Sequence, residues 1–442
     1  MKQPNLILSC CLVLTMILGA CKTGPVNLFK TASPHEMYQR KLSHAGLDET
    51  AMGKAWINAA QNSIFKALSI QIPYKEQGYF PAERVAATAF RFDVVRGQRL
   101  NIRLQKTPDT NFMVYMDLWA LRGKEAPRAI AFADTLNSSI TIDVDRNGEY
   151  LLRLQPELLK SGAYILEIVS GPSLSFPVKT SGRKRIESLF GVGRDANTRK
   201  HEGIDIFGPK HTPIIASADG VITRVAENNL GGLVVSLRPT GKEYSLYYAH
   251  LDKQLVKEGQ QVKTGDTLGL MGNTGNARTT PPHLHFGIYT SIGAVDPLPF
   301  VNTEVATPRA ISAATTNINA ILRNTSKASL RVSPDNRASI LKDIEPSTIM
   351  QIEAATDAWY KAILPDGTTG YLPSKGLISV SIAIRSIKLG AAQLELYDEP
   401  LAIAPIKKTL DSGSTVNLLG KFQDFLLVKD RKDETGWVRA VL

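Results

Sequence analysis

Four of the seven histidines in this 442-residue chain lie in three short motifs between residues 201 and 285. The motifs read His201-Glu202-Gly203-Ile204-Asp205, Tyr248-Ala249-His250-Leu251 and Pro282-His283-Leu284-His285-Phe286. Any fold that puts this chemistry to use must bring the imidazoles and Asp205 to one place. The third motif continues into Gly287-Ile288-Tyr289, which predicts a strand. Residues two apart on a strand point to the same face. His283 and His285 therefore share a face, while Leu284 and Phe286 turn to a core. Imidazole and carboxylate are the usual zinc ligands in water-activating sites, where three protein ligands leave a fourth position open. One histidine of the pair can hold a metal while the other meets a substrate beside it.

The first motif stands one residue away from the helical H-E-x-x-H pattern. Gly203 opposes a helix, and Ile206-Phe207-Gly208-Pro209 would end one. The prediction is a loop feeding a strand, with Glu202 solvated. His211 falls in a loop one strand away and is read as exposed. His35 and His44, in a polar stretch near the N-terminus, are read as solvated.

With their surroundings, these motifs resemble the LytM and lysostaphin-type zinc endopeptidases. The matching pieces are Thr212-Pro213-Ile214-Ile215-Ala216, Asp219-Gly220-Val221-Ile222, Val262-Lys263-Thr264-Gly265-Asp266 and Gly272-Asn273-Thr274-Gly275. The resemblance covers residues 183–300 and implies a mostly antiparallel β fold with an open groove. It implies that His201, Asp205 and His285 hold one Zn²⁺, and that His250 and His283 are a catalytic pair outside the ligand set. The stretch between Gly275 and His283 is slightly longer than in the family's shortest members, which bears on the groove wall. The implied activity is hydrolysis of peptide cross-links in bacterial peptidoglycan, between D-alanine and a diamino acid. Two other readings are a wall-binding regulator built on an inactive peptidase domain and a zinc protease of non-wall proteins. Inactive members of the family typically lose ligands; here all five positions are intact.

The N-terminus sets the expected compartment. Lys2 precedes an apolar run over residues 6–18, too short to span a bilayer comfortably. It ends in Leu18-Gly19-Ala20-Cys21, which resembles the lipobox of bacterial lipoproteins. That resemblance implies cleavage before Cys21, lipidation of its thiol, and an outer-membrane anchor facing the periplasm. Cys10 and Cys11 lie inside the signal, so the mature chain has no second thiol for a disulfide. Its fold must rest on packed cores and any bound metal. The net charge of +11 suits anionic wall polymers or lipid head groups. Lys and Arg form no concentrated stripe, and nucleic acid is not expected as a partner.

Read end to end, the chain divides into a signal peptide (1–21), an anchor stretch with an amphipathic helix (22–84), and a β-sandwich (85–180). The peptidase-like segment (181–300), a linker (301–316) and two imperfect repeats (317–380 and 381–442) follow. The helix is read over residues 47–68 from Met52, Trp56, Ala60, Ile64 and Leu68. Alternating runs such as Leu100-Asn101-Ile102-Arg103-Leu104, separated by turns such as Arg146-Asn147-Gly148, read as the sandwich. Its last strands resemble bacterial pre-peptidase domains. In the repeats, Leu330-Arg331-Val332, Trp359-Tyr360-Lys361-Ala362 and Gly370-Tyr371-Leu372 are echoed by Leu394-Glu395-Leu396, Phe425-Leu426-Leu427-Val428 and Gly436-Trp437-Val438. They resemble SH3-like barrels, the second degenerate, with Trp359 and Trp437 in cores. The fold class expected is mostly β throughout.

Overall fold

The computed structural model describes residues 32–440 except 124, 135–137, 181–184, 195–196 and 392. The signal segment and Cys21 lie outside the described residues. Among the described residues, no helix is long and apolar enough to cross a membrane.

The chain is mostly β, as its alternating pattern implies, but its N-terminal segment differs from expectation. A helix over Pro34–His44 precedes the expected one, which spans Ala51–Phe65. Ser33 caps the first helix in a reciprocal capping box with Glu36, and Pro34 opens it. Placing His35 in solvent is corrected by this helix. Its ring is 3% exposed, stacks on Trp56 at 4.6 Å and donates to Gln155 Oε1 at 2.6 Å. Gln155 in turn donates to the Trp56 carbonyl, and Trp56 Nε1 donates to the Pro156 carbonyl, each at 2.8 Å. The two helices are thereby fixed to the sandwich.

Burial, with the nearby Arg153 charge, lowers the His35 pKa to about 4. The folded protein keeps His35 neutral, whereas an unfolded histidine titrates near 6.5. This contribution to stability is complete above about pH 6.5 and is lost as pH falls toward 4. It amounts to about 3 kcal/mol. The wild type should therefore lose more stability than His35→Phe between pH 7.5 and 4.5 in denaturant titrations. Parallel pH curves for the two proteins would remove His35 as the cause.

One sandwich sheet runs Leu68–Ser69, Thr88–Val94, Gly148–Pro156, Val114–Leu121, Arg128–Phe132. The other runs Ser139–Asp143, Gln98–Thr107, Gly162–Pro172, Tyr74–Phe80 and does not stop there. Gln77 and Gly78 pair with Ala355 and Ala354 of the strand Ile349–Thr356, so the sheet continues into the first repeat. Trp359 is buried in the sandwich core, beside Phe90 and Tyr371. Residues 302–314 have no regular structure. They are nevertheless pinned, since the Ser312 and Ala313 amides both donate to the Asp357 carbonyl at 2.8 Å.

The two repeats share a strand order. In the first, Ile340–Ile344, Ala328–Arg331, Thr369–Pro373, Trp359–Ile363 and Ile349–Thr356 lie side by side. In the second, Ile406–Leu410, Leu394–Tyr397, Thr435–Arg439, Phe425–Lys429 and Thr415–Phe422 do the same. The expected barrels do not close by hydrogen bonding among the described residues. In the first repeat the free edge of Ile349–Thr356 is already taken, by Ile321–Asn324 at one end and Tyr74–Phe80 at the other.

The peptidase-like segment has a separate core and a sheet in the order Arg185–Ser188, Ile204–Phe207, His283–Thr290, Ser245–Gln254, Gly232–Pro239, Gly220–Asn228, Gln261–Val262. Leu284, Phe286, Ile204 and Ile206 fill that core at 0–1% exposure, leaving the opposite face of the central strands to the polar motifs.

Candidate metal centre

The central strands assemble the site through their register. Asp205 lies directly across from His285, and Phe207 across from His283, in an antiparallel pair. Cross-strand neighbours share a face, so Asp205, His283 and His285 converge. On the other side of this strand, Ala249 pairs with His285. Simple alternation would send the next residue, His250, to the opposite face. A bulge prevents this: Tyr248 and Leu251 pair with Val235 and Leu233, so two residues face one. His250 adopts φ 61°, and its amide donates to the Gly231 carbonyl at 2.7 Å. Its ring then lies 4.9 Å from that of His283 and 6.0 Å from that of His285.

His201 arrives from the loop before Ile204–Phe207. The closeness of this loop depends on Gly203, where a Cβ would lie 2.5 Å from the Phe286 carbonyl oxygen and 2.7 Å from the His285 ring. The glycine that argues against a helix in the sequence is thus the one that lets the loop touch the strand.

His201 Nε2, Asp205 Oδ1 and His285 Nδ1 form a triangle with every side 3.0 Å. His201 and Asp205 are 3% and 6% exposed. His201 Nδ1 lies 2.9 Å from the Leu189 carbonyl, which fixes its proton there and leaves the Nε2 lone pair for the centre. Two imidazole nitrogens and a carboxylate oxygen at this spacing suit a small cation. Tetrahedral zinc with these ligands has ligand–ligand edges of about 3.3 Å. Burial alone would raise the Asp205 pKa. Hydrogen bonds and charge from His201 and His285 outweigh it and hold the carboxyl well below its ordinary range. Burial lowers the His285 pKa, against the pull of Asp205.

His250 and His283 flank the triangle. His250 Nδ1 donates to the Thr274 carbonyl and His283 Nδ1 to the Pro281 carbonyl, each at 2.9 Å, so Nε2 carries the lone pair in both neutral rings. Burial, then the His283 and His285 charges, lower the His250 pKa to about 4. His283 stacks on Phe207 at 4.8 Å.

All five predicted site residues are brought together, and His211 is not. It is exposed and pairs with Asp252 at 2.9 Å. Glu202 is exposed, as expected. Sequence reasoning missed Arg194, whose Nη2 donates to Asp205 Oδ2 at 2.6 Å.

Residues 199–297 match the model of Peptidase family M23, and this segment is a peptidase domain of that family. An uncharacterized metalloprotease of Haemophilus influenzae is 43% identical over 119 residues, 26% of this chain and 24% of that protein. Peptidoglycan DD-endopeptidase ShyC of Vibrio cholerae is 38% identical over 107 residues, 23% of this chain and 24% of ShyC. Peptidoglycan DD-endopeptidase ShyA of the same organism is 43% identical over 86 residues, 20% of this chain and 19% of ShyA. The chain thus spans about a quarter or less of the length of these relatives.

Proposed function

We propose that this protein is a zinc metalloendopeptidase that hydrolyses peptide cross-links of bacterial peptidoglycan, at D-alanyl–diamino acid bonds. The observation that carries the reading is the His201–Asp205–His285 triangle with His250 and His283 beside it. Relatives that act on peptidoglycan support the substrate class. His201, Asp205 and His285 would hold a zinc ion, which when bound would supply a nucleophile from water at neutral pH and polarise a carbonyl oxygen. The chain's own residues handle the protons. His250, with its pKa near 4, is neutral at pH 7 and accepts a proton at Nε2 while its Nδ1–H stays on the Thr274 carbonyl. His283, held in the same way by Pro281, presents a second Nε2 acceptor beside the centre, and the proton taken at Nε2 passes back to the leaving amine. The intact five-residue set favours an enzyme over an inactive regulator. In this reading Cys21 carries a lipid anchor facing the periplasm, and the C-terminal SH3-like units are accessory.

Digestion of purified sacculi, with mass spectrometry of the products, tests the function. New amino termini on the diamino acid are the expected result. Intact cross-links after incubation with zinc-loaded protein would overturn the reading. His250→Ala and His283→Ala should retain zinc and lose about 10²-fold or more in rate, the size of a proton-transfer contribution. Wild-type rates in both variants would remove these histidines from the chemistry.

A further inference from the structure

Arg194 occupies a position that the metal reading leaves unexplained. It sits on a two-stranded hairpin in which Gly193 and Arg194 pair with Lys200 and Arg199. The pairing carries on to the first ligand: the His201 amide donates to the Val192 carbonyl and the Gly191 amide to the His201 carbonyl, each at 2.8 Å. One hairpin therefore presents both His201 and Arg194.

The guanidinium reaches two neighbours with the same nitrogen. Nη2 donates to Asp205 Oδ2 at 2.6 Å and to Ser188 Oγ at 2.7 Å. Ser188 is the register partner of Asp205 on the adjoining strand, and its hydroxyl lies 3.3 Å from His201 Nδ1. The two oxygens of Asp205 are thus divided. Oδ1 belongs to the triangle with His201 and His285, while Oδ2 belongs to Arg194. The carboxylate side chain is 8% exposed, so solvent is a poor substitute for the guanidinium.

We propose that Arg194 is a positioning residue that restricts Asp205 to a single ligating oxygen and so keeps the fourth metal position open. An unrestrained carboxylate can bind a cation through both oxygens. A two-oxygen Asp205 would fill the position that a water-activating site must leave free. The arginine also anchors the outer carboxylate oxygen, a role in which outer partners are worth about 10–100-fold in metal affinity. Lysine carries its charge on a flexible four-carbon stem without a rigid plane, so it does not hold Asp205 Oδ2 and Ser188 Oγ in place as this guanidinium nitrogen does.

The inference rests on the metal reading of the centre, and its test is independent of any wall substrate. Wild-type protein, Arg194→Met and Arg194→Lys are titrated with zinc against a chromophoric chelator, and their cobalt(II) forms are compared by absorption spectroscopy. Arg194→Met should bind zinc about 10–100-fold more weakly, and its cobalt spectrum should shift as a second Asp205 oxygen replaces water at the fourth position. Arg194→Lys should show the same shift with a smaller loss of affinity. Zinc affinity and cobalt spectra equal to wild type in Arg194→Met would overturn the proposal. Arg194 is one-third exposed on a surface hairpin; should the methionine variant fail to fold, an unshifted lysine variant overturns it equally. Wild-type protein that binds no zinc would instead overturn the metal reading itself.

Discussion

Asp205→Ala and His285→Ala should each leave the purified protein nearly free of zinc, against about one equivalent in the wild type. Wall hydrolysis should fall to background with it. The size of this effect follows from the triangle: each donor lies 3.0 Å from the other two, and no fourth protein ligand atom joins the group among the described residues. Loss of one leaves two donors, below the number that holds zinc in a water-activating site. The two variants should fail for different secondary reasons. Without Asp205, Arg194 loses its carboxylate and His201 and His285 face each other with no anion between them. Without His285, Asp205 keeps Arg194 but loses one of the two imidazoles that hold its pKa down. Elemental analysis reads both. A full equivalent of zinc in either variant would show that the missing side chain is not a ligand.

The parts of this site that the sequence discloses are those with short, local spacing. His283 and His285 lie two apart on a strand, and the period of two places them on one face with no knowledge of the rest of the fold. Their burial against a core of Leu284 and Phe286 follows from the same alternation. Gly203 and Pro209 rule out the helix that the H-E-x-x-D spacing would otherwise suggest. His250 was found as a motif, but the period of two would aim it away from His285. Only the bulge at residues 249–250, a feature of pairing between two strands, explains how it returns. Arg194 gives no local signal at all, because its link to Asp205 depends on how a hairpin folds over the sheet. The helix Pro34–His44 was legible in retrospect: Ser33, Pro34 and Glu36 spell a capping box with proline at the first helical position. The unbroken sheet between the sandwich and the first repeat was not. It joins residues more than 270 positions apart, and no periodicity reports such a pairing.

That joint carries the second large effect. Glu76 and Lys361 are separated by 285 positions, yet they form an ion pair at 3.0 Å with 0% and 1% of their surfaces exposed. Glu76 also accepts from Tyr74 at 2.6 Å and from Tyr164 at 2.7 Å, while Lys361 lies 4.9 Å from the centre of the Phe90 ring. Removing one charge from such a pair leaves the other buried without compensation, at a cost of about 3–5 kcal/mol. Lys361→Met should destabilise the protein by that amount in denaturant titrations. The double variant Glu76→Gln/Lys361→Met should recover most of the loss, since the amide oxygen still accepts from one tyrosine and the amide nitrogen can donate to the other's hydroxyl oxygen. A chain ending near residue 307 is expected to suffer more than Lys361→Met. It loses the lysine, the strand that pairs with Gln77 and Gly78, and Trp359 from the sandwich core. Truncation within the expected linker therefore removes packing from the sandwich as well as the repeats. The metal centre sits on a separate core built around Leu284, Phe286 and Tyr248. Zinc content of folded Lys361→Met should accordingly match the wild type while its unfolding midpoint drops. An unfolding free energy within about 0.5 kcal/mol of wild type would show that the ion pair does not hold the two units together. Loss of zinc alongside stability would show that the peptidase domain depends on the joint.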